Sequence, residues 1–280
     1  MIRQMITDLD GTLLNGSFEW DERIETGVKE VLESGCEFAA ATGRTIDGVK
    51  SCGNLWNLPV YLILMNGALI LDKERNMIFS REVSRETKDF MLERCSARNL
   101  EFITKDGNLT RLSRETYIRE YSAWDMWRRK VLEKKHTGYY DHYLSLFSFS
   151  CTDEEIRQAA VLKINGLQLD DEKYKRLLRE LDEELVDAVN APFADHVIEL
   201  TARGVSKAEA LLWLSGRLGW KKEETAVFGD GGNDIEMLEL FPNSFAPANA
   251  SEEARRAASQ VVSSCEEYGV VEKMRELAGR

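Results

Sequence analysis

Short apolar segments alternate with amphipathic helical segments at both ends of the chain, and this alternation constrains the fold more than any other feature. Near the N-terminus the predicted strands are Met1–Thr7, Glu37–Ala41 and Tyr61–Met65, with a helix over Asp21–Ser34 between the first two. The same rhythm returns after residue 205, where a helix predicted over Ser206–Leu218 precedes an apolar strand. Strands that alternate with helices of this length pair in parallel, so the sequence predicts an α/β protein with a doubly wound, Rossmann-like sheet.

The middle of the chain has a different character. Between residues 82 and 190 it is denser in charged and aromatic side chains, and longer helices are predicted over Arg85–Arg98 and Glu115–Lys135. We therefore predict a catalytic core formed by residues 1–81 and 191–280, with an α+β domain inserted at residues 82–190. Within the core, Asn66-Gly67 is a hairpin turn signal directly after the third strand.

Composition excludes several classes of function. The formal net charge of −12 argues against a nucleic-acid partner, which would require clustered positive charge. The apolar runs are far shorter than the ~20 residues that span a bilayer, so no membrane segment is expected, and the absence of a secretory leader favours a cytoplasmic protein. Five widely separated cysteines without a Cys-x-x-Cys pair indicate free thiols in place of a zinc site. The oligomeric state is not readable from the sequence.

Acidic side chains follow two of the predicted core strands. Asp8 and Asp10 are separated by one residue at the end of the first strand, so they project to the same side, at the sheet edge where α/β proteins bind ligands. Asp230 and Asp234 lie in Gly229-Asp230-Gly231-Gly232-Asn233-Asp234 after the strand Thr225–Phe228. Each motif alone could be only a turn or a helix start. Together, however, four converging carboxylates would repel one another unless a hard divalent cation, normally Mg²⁺, neutralised them.

Two further residues complete this electrostatic pattern. Thr42 ends the second strand, where its hydroxyl could donate to a phosphoryl oxygen. Lys207 falls in the first turn of a helix, a position that the helix dipole makes unfavourable for a cation, and this favours an anionic partner nearby. The order Asp-x-Asp, Thr, Lys and Gly-Asp-x-x-Asn-Asp, each at an element boundary, is far more specific than any of its parts.

At these positions the chain resembles the haloacid dehalogenase-like phosphatases and, within them, the Cof-type branch. The matching motifs cover both core segments, whereas the inserted segment matches the branch's α/β cap only in position and size. They are Asp8-Leu9-Asp10-Gly11-Thr12-Leu13-Leu14, Ala41-Thr42-Gly43-Arg44, Asn66-Gly67-Ala68, Gly204-Val205-Ser206-Lys207, Gly229–Leu238 and Ala248-Asn249-Ala250.

The resemblance implies a role for each matching residue. Asp8 would be the nucleophile that becomes a phosphoaspartate, and Asp10 would be the general acid and then the general base. Mg²⁺ would be held by the Asp8 carboxylate, the Asp10 main-chain carbonyl and Asp230. Asp234 would support these ligands or contact the metal through a water molecule. The phosphate or substrate contacts would be Thr42, Gly43, Asn66, Lys207 and Asn233.

The leading hypothesis is a Mg²⁺-dependent hydrolase of small phosphorylated metabolites, such as sugar phosphates. A phosphohexomutase-type phosphotransferase and a catalytically silent phosphometabolite-binding regulator are the alternatives, although every catalytic position is filled. The inserted domain is expected to select the substrate. The residues of this domain that could contact the ligand are Trp124, Trp127, Arg128, Tyr139, Tyr140, His142 and Tyr143. For the two tryptophans, a place in the core of a helix is the commoner role.

Overall fold

The computed structural model describes residues 1–16, 19–96, 98–120, 139–191 and 196–279. The chain divides into two compact units: unit 1 contains Met1–Ser80 and Gly204–Arg280, and unit 2 contains Arg81–Arg203. The predicted boundary between residues 190 and 191 therefore moves to residues 203 and 204. The physical reason is the strand Val197–Ala202, which pairs with Lys163–Leu167 in the sheet of unit 2.

The strands and helices are numbered along the chain within the described residues. The strands are β1 (Gln4–Thr7), β2 (Glu37–Ala41), β3 (Tyr61–Leu64), β4 (Leu69–Leu71), β5 (Met77–Ser80), β6 (Arg98–Ile103), β7 (Asn108–Leu109), β8 (Phe147–Ser148), β9 (Lys163–Leu167), β10 (Ala188–Asn190), β11 (Val197–Ala202), β12 (Thr225–Phe228), β13 (Asn243–Pro247) and β14 (Gln260–Val262). The α-helices are α1 (Glu22–Glu33), α2 (Ile46–Lys50), α3 (Arg85–Glu93), α4 (114–120), α5 (Tyr139–Ser145), α6 (Asp153–Gln158), α7 (Asp171–Glu184), α8 (Lys207–Leu218), α9 (Ile235–Leu240), α10 (Glu252–Ala257) and α11 (Gly269–Leu277).

Unit 1 is built on an eight-stranded sheet in the order β14-β13-β12-β1-β2-β3-β4-β5. The pairings from β14 to β3 are all parallel, and β1 lies between β12 and β2. In register, Thr7 pairs with both Phe228 and Ala40, so these three neighbouring strands end at the same edge. This arrangement confirms the predicted Rossmann-like α/β core and places the residues after β1, β2 and β12 side by side.

The hairpin predicted at Asn66-Gly67 is also confirmed. Asn66 has a φ of 57° and β4 runs antiparallel to β3, so the sheet is mixed at this end. The edge strand β5, which pairs antiparallel with β4, was not predicted.

Helices α1 and α8 of unit 1 each begin at a residue whose side chain caps the helix. The Asp21 side chain accepts from the Ile24 amide at the start of α1, and the Ser206 side chain accepts from the Glu209 amide at the start of α8. Helix α8 ends at Gly219, which has the left-handed φ of 74° that glycine adopts without strain. The buried face of α8 packs with the apolar side chains of β1 and β12 in one core.

Unit 2 is a six-stranded sheet in the order β10-β11-β9-β6-β7-β8, antiparallel except for the β7–β8 pair. Its apolar core includes Phe90, Phe102, Ile164, Leu177 and Ile198, which joins helices α3 and α7 to one face of the sheet. The helix predicted over Arg85–Arg98 is shorter than expected, because the chain enters β6 at Arg98 and pairs there with β9.

Alternate positions on the other face of this sheet carry polar side chains. Glu101 and Glu199 both pair with Asn165, which places them on one face, and the Lys163 ammonium forms an ion pair with Glu199. Glu101 accepts hydrogen bonds from the Tyr117 and Tyr143 hydroxyls. These charged side chains are buried, as is Tyr117.

Most of the substrate-contact residues predicted in the inserted domain are not described. Trp124, Trp127 and Arg128 lie outside the described residues, and of Tyr139 and Tyr140 only the helical backbone of α5 is described. His142 also lies on α5, and the Tyr143 hydroxyl is engaged with Glu101 at 3.0 Å. None of the described helices is both long and apolar enough to cross a bilayer.

Candidate active site

Asp8 is the first residue beyond β1, and its side chain is almost completely buried. Its main-chain amide donates to the Phe228 carbonyl at 2.9 Å, which continues the parallel pairing of β1 with β12 one residue past the strand. Only 5% of the residue is exposed. The pKa of Asp8 lies well above its ordinary value because burial disfavours the carboxylate, and the charges of Asp234, Asp230 and Asp10 add to the rise against the opposing charge of Lys207.

Lys207 connects Asp8 to the loop that follows β12. Its ammonium donates to Asp8 Oδ1 at 2.6 Å and to Asp234 Oδ1 at 2.7 Å, and the residue is 1% exposed. Burial acts to lower the pKa of Lys207, but the charges of Asp234 and Asp8 raise it above its ordinary value. The ammonium is therefore held charged at the first position of α8, where the helix dipole alone would disfavour it.

The glycine-rich loop after β12 folds around the Asp234 carboxylate. Asp234 Oδ2 accepts from the amides of Asp230 and Gly231, both at 3.0 Å, so both of its oxygens are hydrogen bonded. Gly229 is required here, because a Cβ at this position would lie 2.4 Å from the Asp234 Cβ. Asp234 thus fixes both the loop and Lys207.

The Asp230 carboxylate is directed at the loop that follows β1. Asp230 Oδ1 accepts from the Thr12 hydroxyl at 2.8 Å. Gly11 has a φ of +83°, and a Cβ there would lie 2.6 Å from Asp230 Oδ2, so the close approach of the two loops requires glycine. The pKa of Asp230 is raised, chiefly by burial.

These carboxylates have the donor chemistry of a divalent-cation site. One oxygen from each of Asp8, Asp230 and Asp234 lies within 4.8 Å of the other two. Three carboxylates oppose the single positive charge of Lys207, and hard oxygen donors in such a cluster suit Mg²⁺.

Asp10 lies beside this cluster but not in it. Among the described residues, the Asp10 carboxylate does not belong to the group whose oxygens converge. Its Oδ2 instead accepts from Arg44 Nε at 2.7 Å, and its Oδ1 accepts from Arg44 Nη2. The Asp10 carboxylate is therefore directed at Arg44 and not at the three converging carboxylates. The Asp10 main-chain carbonyl takes no part in this ion pair.

Of the residues predicted to contact phosphate, Thr42 and Gly43 follow β2 and Asn66 follows β3, along the same edge of the sheet. Thr42 is buried, and its main-chain carbonyl accepts from the Asn66 amide at 3.0 Å. A Cβ on Gly43 would lie 3.1 Å from Asn66 Oδ1. Asn66 Oδ1 in turn accepts from Asn233 Nδ2 at 3.0 Å, which links the hairpin turn to the loop after β12.

Three residues at the site were given no role by the sequence: Thr12, Arg44 and Asn249. Thr12 orients Asp230, and Arg44 binds Asp10. Asn249 Nδ2 donates to the Gly11 carbonyl at 2.8 Å, while its Oδ1 accepts from the Cys265 amide at 2.8 Å, and so supports the turn that Asp230 approaches. All three belong to the matching motifs, so their places in those motifs were the available signal.

The comparisons with known proteins agree with this geometry. The family model of the haloacid dehalogenase-like hydrolases matches residues 5–274. The phosphatase YwpJ of Bacillus subtilis is 27% identical, over 96% of this chain and 98% of its own. The phosphatase YbjI of Escherichia coli, named for 5-amino-6-(5-phospho-D-ribitylamino)uracil, is 27% identical over 97% of this chain and 94% of its own. The structure of a haloacid dehalogenase-like hydrolase from B. subtilis superimposes with a TM-score of 0.80, at 26% identity over 99% of this chain and 100% of that one.

Proposed function

The chain belongs to the haloacid dehalogenase-like hydrolases, and we propose that it is a Mg²⁺-dependent phosphatase that hydrolyses small phosphate monoesters through a phosphoaspartate at Asp8. The observation that carries the proposal is the buried contact of Asp8 with Lys207, beside the carboxylates of Asp230 and Asp234. A buried carboxylate held by a cation, next to a cluster of metal-type donors, suits a nucleophile that attacks an anionic phosphorus centre.

The proposed metal ligands are the Asp8 and Asp230 carboxylates and the Asp10 main-chain carbonyl. When bound, Mg²⁺ would neutralise charge on the phosphoryl oxygens and on the two carboxylates. Asp234 is better suited to a supporting role, because both of its oxygens already accept hydrogen bonds from Lys207 and from the loop amides.

The reaction consists of two displacements at phosphorus. In the first, an Asp8 oxygen forms a bond to phosphorus while the bond to the leaving oxygen breaks, and the Asp10 carboxyl donates a proton to that oxygen as it departs. In the second, Asp10 takes a proton from water as the water oxygen bonds to phosphorus. The Asp8–phosphorus bond then breaks, and its electron pair returns to the Asp8 carboxylate.

The remaining site residues would hold the phosphoryl group. We propose that the Thr42 hydroxyl, the Gly43 amide and the Lys207 ammonium donate to the phosphoryl oxygens. Thr42 and Gly43 directly follow β2, the strand beside β1, and Lys207 already contacts the Asp8 carboxylate. Asn66 and Asn233 are bonded to each other and would contact the substrate as a pair. Positioning and charge neutralisation of this kind supply most of the catalysis in phosphoryl transfer.

The proposed substrates are sugar phosphates or related metabolites, in which phosphate is esterified to an alcohol. The relative YbjI is named for such a compound, a phosphorylated ribityl group, and this supports the class without fixing the molecule. The residues proposed above to contact the phosphate all belong to unit 1. A net charge of −12 is consistent with small-molecule substrates and no nucleic-acid partner.

A panel of phosphorylated sugars, polyols, nucleotides and cofactors tests the proposal. Phosphate release is measured with saturating Mg²⁺ for the wild-type protein and for Asp230→Asn, which removes a proposed ligand. We expect release from several alkyl phosphates that is lost in the variant. Release of phosphate from no member of the panel, or release that Asp230→Asn leaves unchanged, would contradict the proposal. Transfer to an added sugar in preference to water would identify a phosphotransferase.

A further inference from the structure

The Arg44 guanidinium holds the Asp10 carboxylate with two hydrogen bonds. Arg44 Nε donates to Asp10 Oδ2 at 2.7 Å, and Nη2 donates to Asp10 Oδ1. This is the two-point geometry in which a planar guanidinium fixes the plane and the direction of a carboxylate. The pair is partly shielded, with 18% of the Arg44 side chain and 34% of the Asp10 side chain exposed.

Arg44 is itself held in place by the loop that follows β2. Its main-chain amide donates to the Thr42 hydroxyl at 3.2 Å, and its carbonyl accepts from the Met65 amide at 3.0 Å. Its Nη1 donates to the Gly48 carbonyl at 3.2 Å. These contacts fix the position of the Arg44 guanidinium. The loop that carries Thr42 therefore also sets the direction in which Arg44 holds Asp10.

The ion pair also separates two neighbouring acids. Asp8 and Asp10 are two residues apart, yet the Asp8 oxygen converges with those of Asp230 and Asp234, whereas within the described residues the Asp10 carboxylate does not join them. A carboxylate without the Arg44 counter-charge would be attracted to a divalent cation at that cluster. Each oxygen bonded to Arg44 keeps a second lone-pair position, so the pair leaves room for a proton on Asp10.

We propose that Arg44 is a positioning residue for proton transfer: it holds the Asp10 carboxyl toward the leaving oxygen and away from the metal ligands. The inference rests on the proposed function. Arg44 stays protonated throughout, since arginine does not release its proton in proteins. The transferred proton moves between Asp10 and the leaving oxygen, and later between water and Asp10.

The test is the dependence of kcat/KM on the basicity of the leaving group. The substrates are aryl phosphates from 4-nitrophenyl to phenyl, followed by an alkyl phosphate. Basic leaving groups need a proton from Asp10, and acidic ones depart without it. Arg44→Met keeps the aliphatic stem and removes the guanidinium, so its loss of kcat/KM should grow along the series, reaching about 10²–10³-fold for the alkyl phosphate, within the range of general acid catalysis. Arg44→Lys should recover part of that loss.

Three controls make the result decisive. Asp10→Asn should show the same graded loss as Arg44→Met. Arg23→Met removes a half-exposed arginine of unit 1 that pairs with Glu272, and it should change nothing. Asp8→Asn should abolish turnover of every substrate, which tests the proposed function separately.

An equal loss in Arg44→Met across the whole series would indicate a structural or phosphate-binding role and overturn the inference, as would no loss at all. If Asp8→Asn retained activity, the proposed function would fail first. With turnover dependent on Asp8 and a flat Arg44→Met series, the function would stand and the inference alone would fall.

Discussion

The Lys207 ammonium donates to the Asp8 carboxylate at 2.6 Å, although 199 residues separate the two in the chain. The parallel sheet makes this contact possible, because β1 is a central strand and its carboxyl end faces the start of α8. Lys207 also reaches Asp234 at 2.7 Å, so one buried cation joins the first strand, the glycine-rich loop and a helix N-terminus. The stability of the site and its proposed chemistry therefore depend on the same contact.

Replacing Lys207 with methionine should damage both stability and activity. Asp8 and Asp234 would keep their buried carboxylates without their cation, which typically costs about 3–5 kcal/mol. Urea unfolding measures this loss, and hydrolysis of an aryl phosphate should fall by at least about 10²-fold. The matched control is Lys29→Met, because Lys29 pairs with Glu25 at the surface. This substitution should change the free energy of unfolding by no more than about 0.5 kcal/mol. Equal effects of the two substitutions would refute the role of Lys207.

Mg²⁺ should stabilise the folded protein as well as activate it. A cation that binds only the native state, present at 100 times its Kd, adds about 2.7 kcal/mol to the free energy of unfolding. Thermal unfolding after exhaustive chelation, with and without added Mg²⁺, measures the shift in Tm. Asp230→Asn should reduce the shift, whereas Asp47→Asn, at the surface helix α2, should keep it. If the Tm did not change on addition of Mg²⁺ and activity persisted after chelation, the proposed role of Mg²⁺ would be excluded.

The stability of the metal-free protein should depend on pH with a definite sign. Burial raises the pKa of Asp8 above its ordinary value of 3.8, so the folded state binds this proton more tightly than the unfolded state does. That contribution is fully present below pH 3.8 and is lost as the pH rises through the raised pKa. The Mg²⁺-induced increase in Tm should therefore grow with pH over this window. An increase that shrinks as the pH rises would show that the carboxylates are not neutralised in this way.

The buried ion pair of Lys163 and Glu199 in unit 2 gives a prediction about stability alone. Both residues are at least nine-tenths buried, so Glu199→Leu removes a buried carboxylate that compensates the Lys163 charge, at a cost of about 3–5 kcal/mol. The double variant with Lys163→Met removes both charges and should recover much of that loss. A double-mutant cycle in urea measures the coupling. Additive losses would mean that the two side chains do not stabilise each other.

The sequence was sufficient to predict the elements that carry local signals. Helix α8 begins after Ser206 and ends at Gly219 as predicted, because capping chemistry is encoded within a few residues of each end. The strands β2 and β12 have their predicted bounds, since each is an apolar run that stops at a turn. Strand ends then placed Asp8 and Asp230 at one edge of the sheet.

Long-range pairing was not available from the sequence. The boundary of unit 2 falls later than predicted because β11 pairs antiparallel with β10 and also with β9, which lies about 30 residues earlier in the chain. The direction of the Arg44 side chain was equally hidden, since Asp10 is a strand away and no local pattern links them. The bond between Asn233 and Asn66 spans 167 residues for the same reason.

The nucleophilic role of Asp8 is tested by measuring the turnover of 4-nitrophenyl phosphate by Asp8→Asn in saturating Mg²⁺. The amide has nearly the shape of the carboxylate but cannot act as the nucleophile, so kcat should fall by about 10⁴–10⁶-fold. The circular dichroism spectrum should stay unchanged. Turnover within tenfold of the wild-type protein would show that Asp8 does not accept the phosphoryl group.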